Sequence, residues 1–246
     1  FCFEEFDDRV AELVEKYVDI DRLLELTKQV APAALPMSVS HRTYRREPSF
    51  TVAIARDPAF NFMYEANIRY LHHLGEVTYF SPLADTSLPD AGFVYLPGGY
   101  PELYLAALSA NRLMLQSIRR YVENGGKLLA ECGGMMYLCD EIRDKNGDVY
   151  PMAGVLHQSA TMENMKLRLG YRTLLYNDAR LKGHEFHYSR LVEQQDPLPS
   201  CAVAYTAKGV ETDTPLYHYK NVWAGYTHLY WADPAGNDWF TKFIIK

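Results

Sequence analysis

Apolar positions along this chain change their spacing near residue 50. Over residues 4–30 they recur at helical intervals. Val10, Leu13, Val14 and Tyr17 share one stripe, and a second short helix carrying Leu23, Leu24 and Leu26 starts at Asp19-Ile20-Asp21, where aspartate can cap it. Pro32, Pro36 and Pro48, with basic residues between them, read as a linker. From residue 50 short apolar runs replace the stripes. Residues 51–55 read as a buried strand that ends at Arg56-Asp57-Pro58, and a helix over about 64–74 stops at Gly75. Strands follow at 76–80 and 92–96, the second ending abruptly in Pro97-Gly98-Gly99-Tyr100. A long helix over 102–123 closes at Asn124-Gly125-Gly126, and a further strand runs into Cys132.

Strand, helix and strand alternating across such short turns predict an α/β fold with a mostly parallel central sheet flanked by helices. In such sheets ligands bind outside the carboxyl ends of the strands. The glycine pairs 98–99 and 133–134 stand at those ends and are expected at one cleft. Beyond residue 150 the candidate strands are 167–176, 184–192, 201–206 and 216–224, with a helix over 237–245. These predict a mixed or antiparallel extension. The domain division expected is 1–47, an N-terminal helical segment plus linker, and 48–246, the α/β domain.

Composition narrows the function classes. With 246 residues, 48% hydrophobic and 23% charged, the chain is an ordinary globular sequence. A net charge of −6 argues against a nucleic-acid surface, and the basic stretch His41-Arg42-Thr43-Tyr44-Arg45-Arg46 reads as a solvated connector. Cys2, Cys132, Cys139 and Cys201 are scattered, with no CxxC pair, so no disulfide framework is expected and a reducing cytoplasm is the simplest home. No apolar run reaches the roughly 18 residues a membrane helix needs, and no signal-peptide pattern occurs. The chain begins Phe-Cys-Phe without methionine, as expected of a piece of something longer.

The stretch from Lys127 to Leu138 carries the chemistry. A short apolar strand ends in Cys132, Gly133-Gly134 follows at once, and a helix-compatible segment comes next: the pattern of a nucleophile elbow. Ala130 and Gly134 supply the small neighbours such a turn requires. A following helix would favour the thiolate and lower the thiol pKa from about 8.5 toward roughly 3.5–7.5. A buried cysteine acting as a small hydrophobe is the competing reading. A nucleophilic cysteine needs a base and an oxyanion hole. Of eight histidines, His72 and His73 fall in a helix and His41 in the linker, which leaves His157, His184, His187, His218 and His228. His228 ends an apolar run, Trp223-Ala224-Gly225-Tyr226-Thr227, late enough in the chain to reach the same sheet edge. His184 and His187 flank Glu185, but on a strand residues three apart face opposite sides, so no metal is expected there. The N–H of Gly133 and the Gly98-Gly99 turn are the candidate oxyanion donors. Gly125-Gly126-Lys127-Leu128 is not a phosphate-binding loop, so the chain is not expected to hold ATP by itself.

Five segments together resemble a known family: Leu96-Pro97-Gly98-Gly99-Tyr100-Pro101-Glu102, Ala130-Glu131-Cys132-Gly133-Gly134-Met135-Met136-Tyr137-Leu138, Leu169-Gly170-Tyr171-Arg172, Gly183-His184-Glu185-Phe186-His187-Tyr188-Ser189 and Tyr226-Thr227-His228-Leu229. In this order they look like the C-terminal glutaminase domain of cobyrinic acid a,c-diamide synthases, over about residues 50–246. Residues 1–47 look like the end of that family's ATP-dependent amidoligase domain, whose phosphate-binding loop would lie upstream. The resemblance implies a class I-like glutamine amidotransferase fold. It implies Cys132 as nucleophile on the glutamine side-chain amide, His228 as base and then acid, and Gly99 and Gly133 at the oxyanion hole. Ammonia would pass to a synthetase domain in the same polypeptide, where ATP and Mg activate the a and c carboxylates of a corrinoid; no cofactor or metal is expected in this chain. Ordinary class I glutaminases carry a glutamate two residues after the histidine, and here that position is Tyr230. Glu185 or a backbone carbonyl is the expected orienting partner of His228. Arg168, ahead of Arg172, is the candidate for the glutamine α-carboxylate on charge alone. The rival expectations are a nickel-sirohydrochlorin a,c-diamide synthase and a cysteine hydrolase on the same fold.

Overall fold

The structure, a computed structural model, describes residues 3–29 and 50–245. The expected linker, with its three prolines and the basic stretch 41–46, lies outside the described residues, as does Cys2. The chain forms two compact units. In the first, α1 (Phe3–Tyr17) and α2 (Ile20–Gln29) match the predicted helices, and the stripe residues Val10, Leu13, Val14 and Tyr17 are exposed.

The second unit begins with β1 (Thr51–Ala55), α3 (Glu65–Leu74), β2 (Glu76–Phe80) and β3 (Phe93–Leu96). Next come α4 (Leu105–Ala110), α5 (Arg112–Glu123), β4 (Lys127–Glu131) and α6 (Gly133–Leu138). Short strands β5 (Glu141–Arg143), β6 (Val149–Pro151) and β7 (Ser159–Thr161) precede a long hairpin of β8 (Arg168–Tyr176) and β9 (Ala179–His187). The remainder is β10 (Arg190–Leu191), β11 (Val203–Thr206), β12 (Glu211–Thr212), β13 (Leu216–Tyr219), β14 (Val222–Gly225), β15 (His228–Tyr230) and α7 (Pro234–Trp239).

The central sheet runs β13-β14-β4-β3-β1-β2, parallel throughout except for β13. Alternation along its strands feeds two cores. Ala53, Val94, Leu128 and Ala130 pack under Met114, Ile118 and Val122 of α5, whereas Val52, Ile54, Tyr95 and Leu129 pack under Ile68 and Leu71 of α3 with Trp231, Trp239 and Phe240. A sheet apolar on both faces must be covered on both, and it is. Two smaller sheets, β10-β7-β5-β6 and the antiparallel β12-β11-β8-β9-β15, form the extension. The expected α/β class with a mixed extension is what the chain adopts.

Several boundaries differ, each for a local reason. The helix expected over 102–123 is broken into a 3₁₀ turn (Pro101–Leu103), α4 and α5. Asn111 makes the break: its Oδ1 accepts from Met114 N–H at 3.4 Å, and its Nδ2 donates to the Pro82 and Asp85 carbonyls at 2.8 Å each. The run 216–224 is two antiparallel strands that turn at Lys220 (φ 52°). The strand expected at 184–192 begins at Ala179 instead, because Asn177 (φ 50°) turns the chain and pairs β9 with all nine residues of β8. The run ending at His228 is also two strands. β14 extends the parallel sheet beside β4, Tyr226-Thr227 cross over, and His228 opens β15 in the antiparallel sheet.

Candidate active site

β4 carries the chain straight to Cys132, whose backbone adopts φ 49° and ψ −108° before α6 begins at Gly133. A non-glycine residue in that region is strained and persists only where its surroundings hold it. Here the Cys132 N–H donates to the Gly225 carbonyl at 2.8 Å, one step beyond the β4–β14 ladder. A Cβ on Gly134 would overlap the Leu96 carbonyl, so only glycine lets α6 start so close to the end of β3. Gly99, in the turn after β3, has φ +156°, and a side chain there would strike the Ala59 carbonyl.

His228 is delivered to the same place by β15. Its ring stacks on His184 (centroids 4.9 Å apart, 20° between planes) and receives the edge of Phe62 at 4.6 Å. The Gly98 backbone lies directly against the ring. Cys132, His228, Gly99 and His184 line one cavity of about 350 Å³, with Phe62 and Phe186 among its walls. A small void of about 20 Å³ lies beside Cys132, bordered by Glu102, Met136, His187 and Ser189.

Burial sets the electrostatics. The Cys132 thiol, 5% exposed, is pushed up to about 12, chiefly by loss of hydration and next by the Glu102 carboxylate; the Gly133 N–H opposes this weakly. His228 is driven down to about 3, first by burial and then by His184 and His187. Both shifts favour the neutral forms at pH 7. The expectation of a helix-stabilised thiolate is corrected: α6 has only six residues, and loss of hydration raises the thiol pKa instead.

Two further expectations meet the geometry differently. Glu185 does not face His228. Its carboxylate is 2.7 Å from Arg172 Nη2 in a buried pair, and strand alternation turns it to the opposite face of β9 from His184, the cross-strand neighbour of His228. Of the two expected orienting partners, Glu185 or a backbone carbonyl, Glu185 is thereby corrected. Among the described residues His228 Nδ1 has no hydrogen-bond partner. Arg168 is not on the Cys132 cavity. It forms a two-point pair with Asp213 (2.6 and 3.0 Å) in a neighbouring cavity of about 310 Å³. His187 and Ser189 line both that cavity and the small void beside Cys132. Sequence reasoning passed over Phe62, Glu102 and Glu131. Only Glu131 left a signal, as an acidic residue directly after the apolar run Leu128-Leu129-Ala130 and directly before Cys132.

The comparisons with known proteins agree with this geometry. Residues 51–236 match the CobB/CobQ-like glutamine amidotransferase domain. A cobyrinate a,c-diamide synthase of Dehalococcoides mccartyi is 36% identical over 244 residues, covering 92% of this chain and 52% of that protein. A hydrogenobyrinate a,c-diamide synthase of Pseudomonas aeruginosa is 36% identical over 229 residues, covering 91% of this chain and 49% of its own length. The chain thus spans about half the length of the curated relatives it matches. A crystal structure of a glutamine amidotransferase superposes with a TM-score of 0.51 at 16% identity, over 79% of this chain and 99% of that one. The fold is that of the class I glutamine amidotransferases. On the match over 51–236 and the identity to its relatives, the chain belongs to the CobB/CobQ-like glutamine amidotransferase family.

Proposed function

We propose that this chain is the glutaminase part of an ATP-dependent a,c-diamide synthase, and that it frees ammonia from glutamine for amidation of the a and c carboxylates of a corrinoid. The single observation that carries this is Cys132, held at a strained elbow on the same cavity as His228 and Gly99. Cys132 Sγ attacks the side-chain amide carbon of glutamine while its proton passes to the His228 ring. The tetrahedral oxyanion is met by the N–H groups of Gly133 and Gly99. His228 then gives the proton to the departing nitrogen, ammonia leaves, and a γ-glutamyl thioester remains. Water, deprotonated by His228, releases glutamate and restores the thiol. ATP and Mg belong to a synthetase domain in the same polypeptide; this sequence carries no phosphate-binding loop for them. The relatives named above are cobyrinate and hydrogenobyrinate synthases, which favours a corrinoid over a sirohydrochlorin.

A glutamine-shaped electrophile tests the assignment. Diazo-oxo-norleucine should add once, at Cys132, and glutamine should protect. Adducts at Cys139 or Cys201, or hydrolysis of simple esters with no response to glutamine, would point to a different cysteine hydrolase.

Arg168 is the proposed ligand for the glutamine α-carboxylate. Its pair with Asp213 is largely exposed (side chains 45% and 72%), and such pairs contribute only about 0–1 kcal/mol, so a substrate carboxylate can displace Asp213. Arg168→Ala should raise KM for glutamine about tenfold with kcat little changed, the pattern of lost ground-state binding. Steady-state kinetics with an unchanged KM would remove Arg168 from the site.

A further inference from the structure

β15, the strand that His228 opens, has three residues and pairs with β9 along one edge only. Along its other edge, side chains replace a ladder. Leu229 N–H donates to Glu131 Oε1 at 3.0 Å, the Leu229 carbonyl accepts from Asn67 Nδ2 at 2.8 Å, and Trp231 N–H donates to Asn67 Oδ1 at 3.1 Å. Both side chains are buried, Asn67 at 0% and Glu131 at 2% exposure. Glu131 is fixed in turn, because its Oε2 accepts from the Tyr95 hydroxyl at 2.6 Å. Burial pushes this carboxyl up to about 8, so holding it here is unfavourable unless its contacts compensate. Tyr230 stands two residues beyond His228, where the wider class places an acid, and Glu185 is engaged by Arg172.

Building on the glutaminase reading above, we propose that Glu131 is the positioning residue for His228. One carboxyl group, a single peptide bond from the nucleophile, grips the strand that begins with the histidine and so fixes the Cys132–His228 spacing. The link runs through backbone: Glu131 holds the Leu229 amide, and Leu229 holds His228. Neither contact requires a charge. One oxygen accepts from Leu229, and the other end of the group bonds the Tyr95 hydroxyl in either direction. An amide fills the same role.

The test is the kinetics of glutamine hydrolysis in the full-length protein that carries this chain. Glu131→Ala should lower kcat about 10²-fold, the scale of a ~1 Å misplacement, with KM within about threefold of the parent. Glu131→Gln should restore kcat to within about fivefold, because its oxygen still accepts from Leu229 and its N–H bonds Tyr95. A folded Glu131→Ala variant with the parental kcat overturns the assignment. So does a Gln variant as impaired as the Ala variant, since charge and not placement would then be the requirement. If Glu131→Ala does not fold, Tyr95→Phe decides: a kcat about fivefold lower with KM unchanged supports the link, and a parental kcat overturns it. Failure of the glutaminase reading itself is distinguishable, because the parent protein would then release no glutamate from glutamine, or Cys132→Ala would release it at the parental rate.

Discussion

His228→Ala should abolish glutamine hydrolysis as thoroughly as Cys132→Ala, and the double variant should be no worse than either. The expected loss is about 10⁴- to 10⁶-fold in kcat for each, because members of a catalytic unit are not additive. The reason lies in the resting charge state. Burial holds the thiol up at about 12 and the imidazole down at about 3, so at pH 7 the thiol keeps its proton and the ring is neutral. The nucleophile must be generated during attack by transfer of its proton to the neighbouring ring, and nothing else on the cavity replaces that ring. His184 stacks beside it, but its Nδ1 is already engaged by the Tyr64 hydroxyl at 2.5 Å. The same charge state has a direct readout without glutamine. Alkylation of Cys132 by iodoacetamide should be slow at pH 7 and rise about tenfold per pH unit while the pH stays below the thiol pKa. Fast alkylation at neutral pH would mean a thiolate–imidazolium pair at rest, and glutamate release by His228→Ala at the parental rate would mean another base.

The elements that were legible in the sequence are those whose causes are local. The inner parallel strands β1 and β3 show as apolar runs because both faces of the sheet are covered there, and the elbow shows because Cys132 needs small neighbours on either side. The family order of five motifs supplied the partner of Cys132, which spacing alone left open. What stayed hidden depends on contacts distant in sequence. The break at Asn111 comes from carbonyls at Pro82 and Asp85, and the early start of β9 from pairing along all of β8. The thiol pKa departs from the sequence expectation because helix position is visible in sequence whereas desolvation is not. Of the two expected partners of His228, Glu185 drops out because Arg172 faces it once β8 and β9 pair. The role of Glu131 is invisible in the sequence because its partner is a backbone N–H 98 positions away.

Gly98→Ala is the smallest substitution that should disable the site while leaving the fold intact. The φ of Gly98 lies outside the left-handed region, so alanine is acceptable to the backbone. The obstacle is the His228 ring: a Cβ at residue 98 would press into its Cε1 edge, 2.9 Å from Nδ1 and 3.2 Å from Nε2. The ring has no easy retreat. His184 stacks on it, the Phe62 edge closes it in, and the backbone of β15 is gripped by Glu131 and Asn67. The added methyl group therefore displaces the imidazole relative to Cys132 by a fraction of an ångström to about 1 Å, which on the scale of misplaced catalytic groups corresponds to about 10²-fold in kcat. Gly134→Ala is the control for a purely structural effect. Its Cβ meets the main-chain carbonyl of Leu96, which cannot swing aside, so that variant should lose stability first and activity only as a consequence. Thermal melts and kcat measured on both variants separate the cases. Gly98→Ala should lose some thermal stability but clearly less than Gly134→Ala, with kcat down about 10²-fold, whereas parental kcat in that variant would mean that His228 does not need its place against the Gly98 turn.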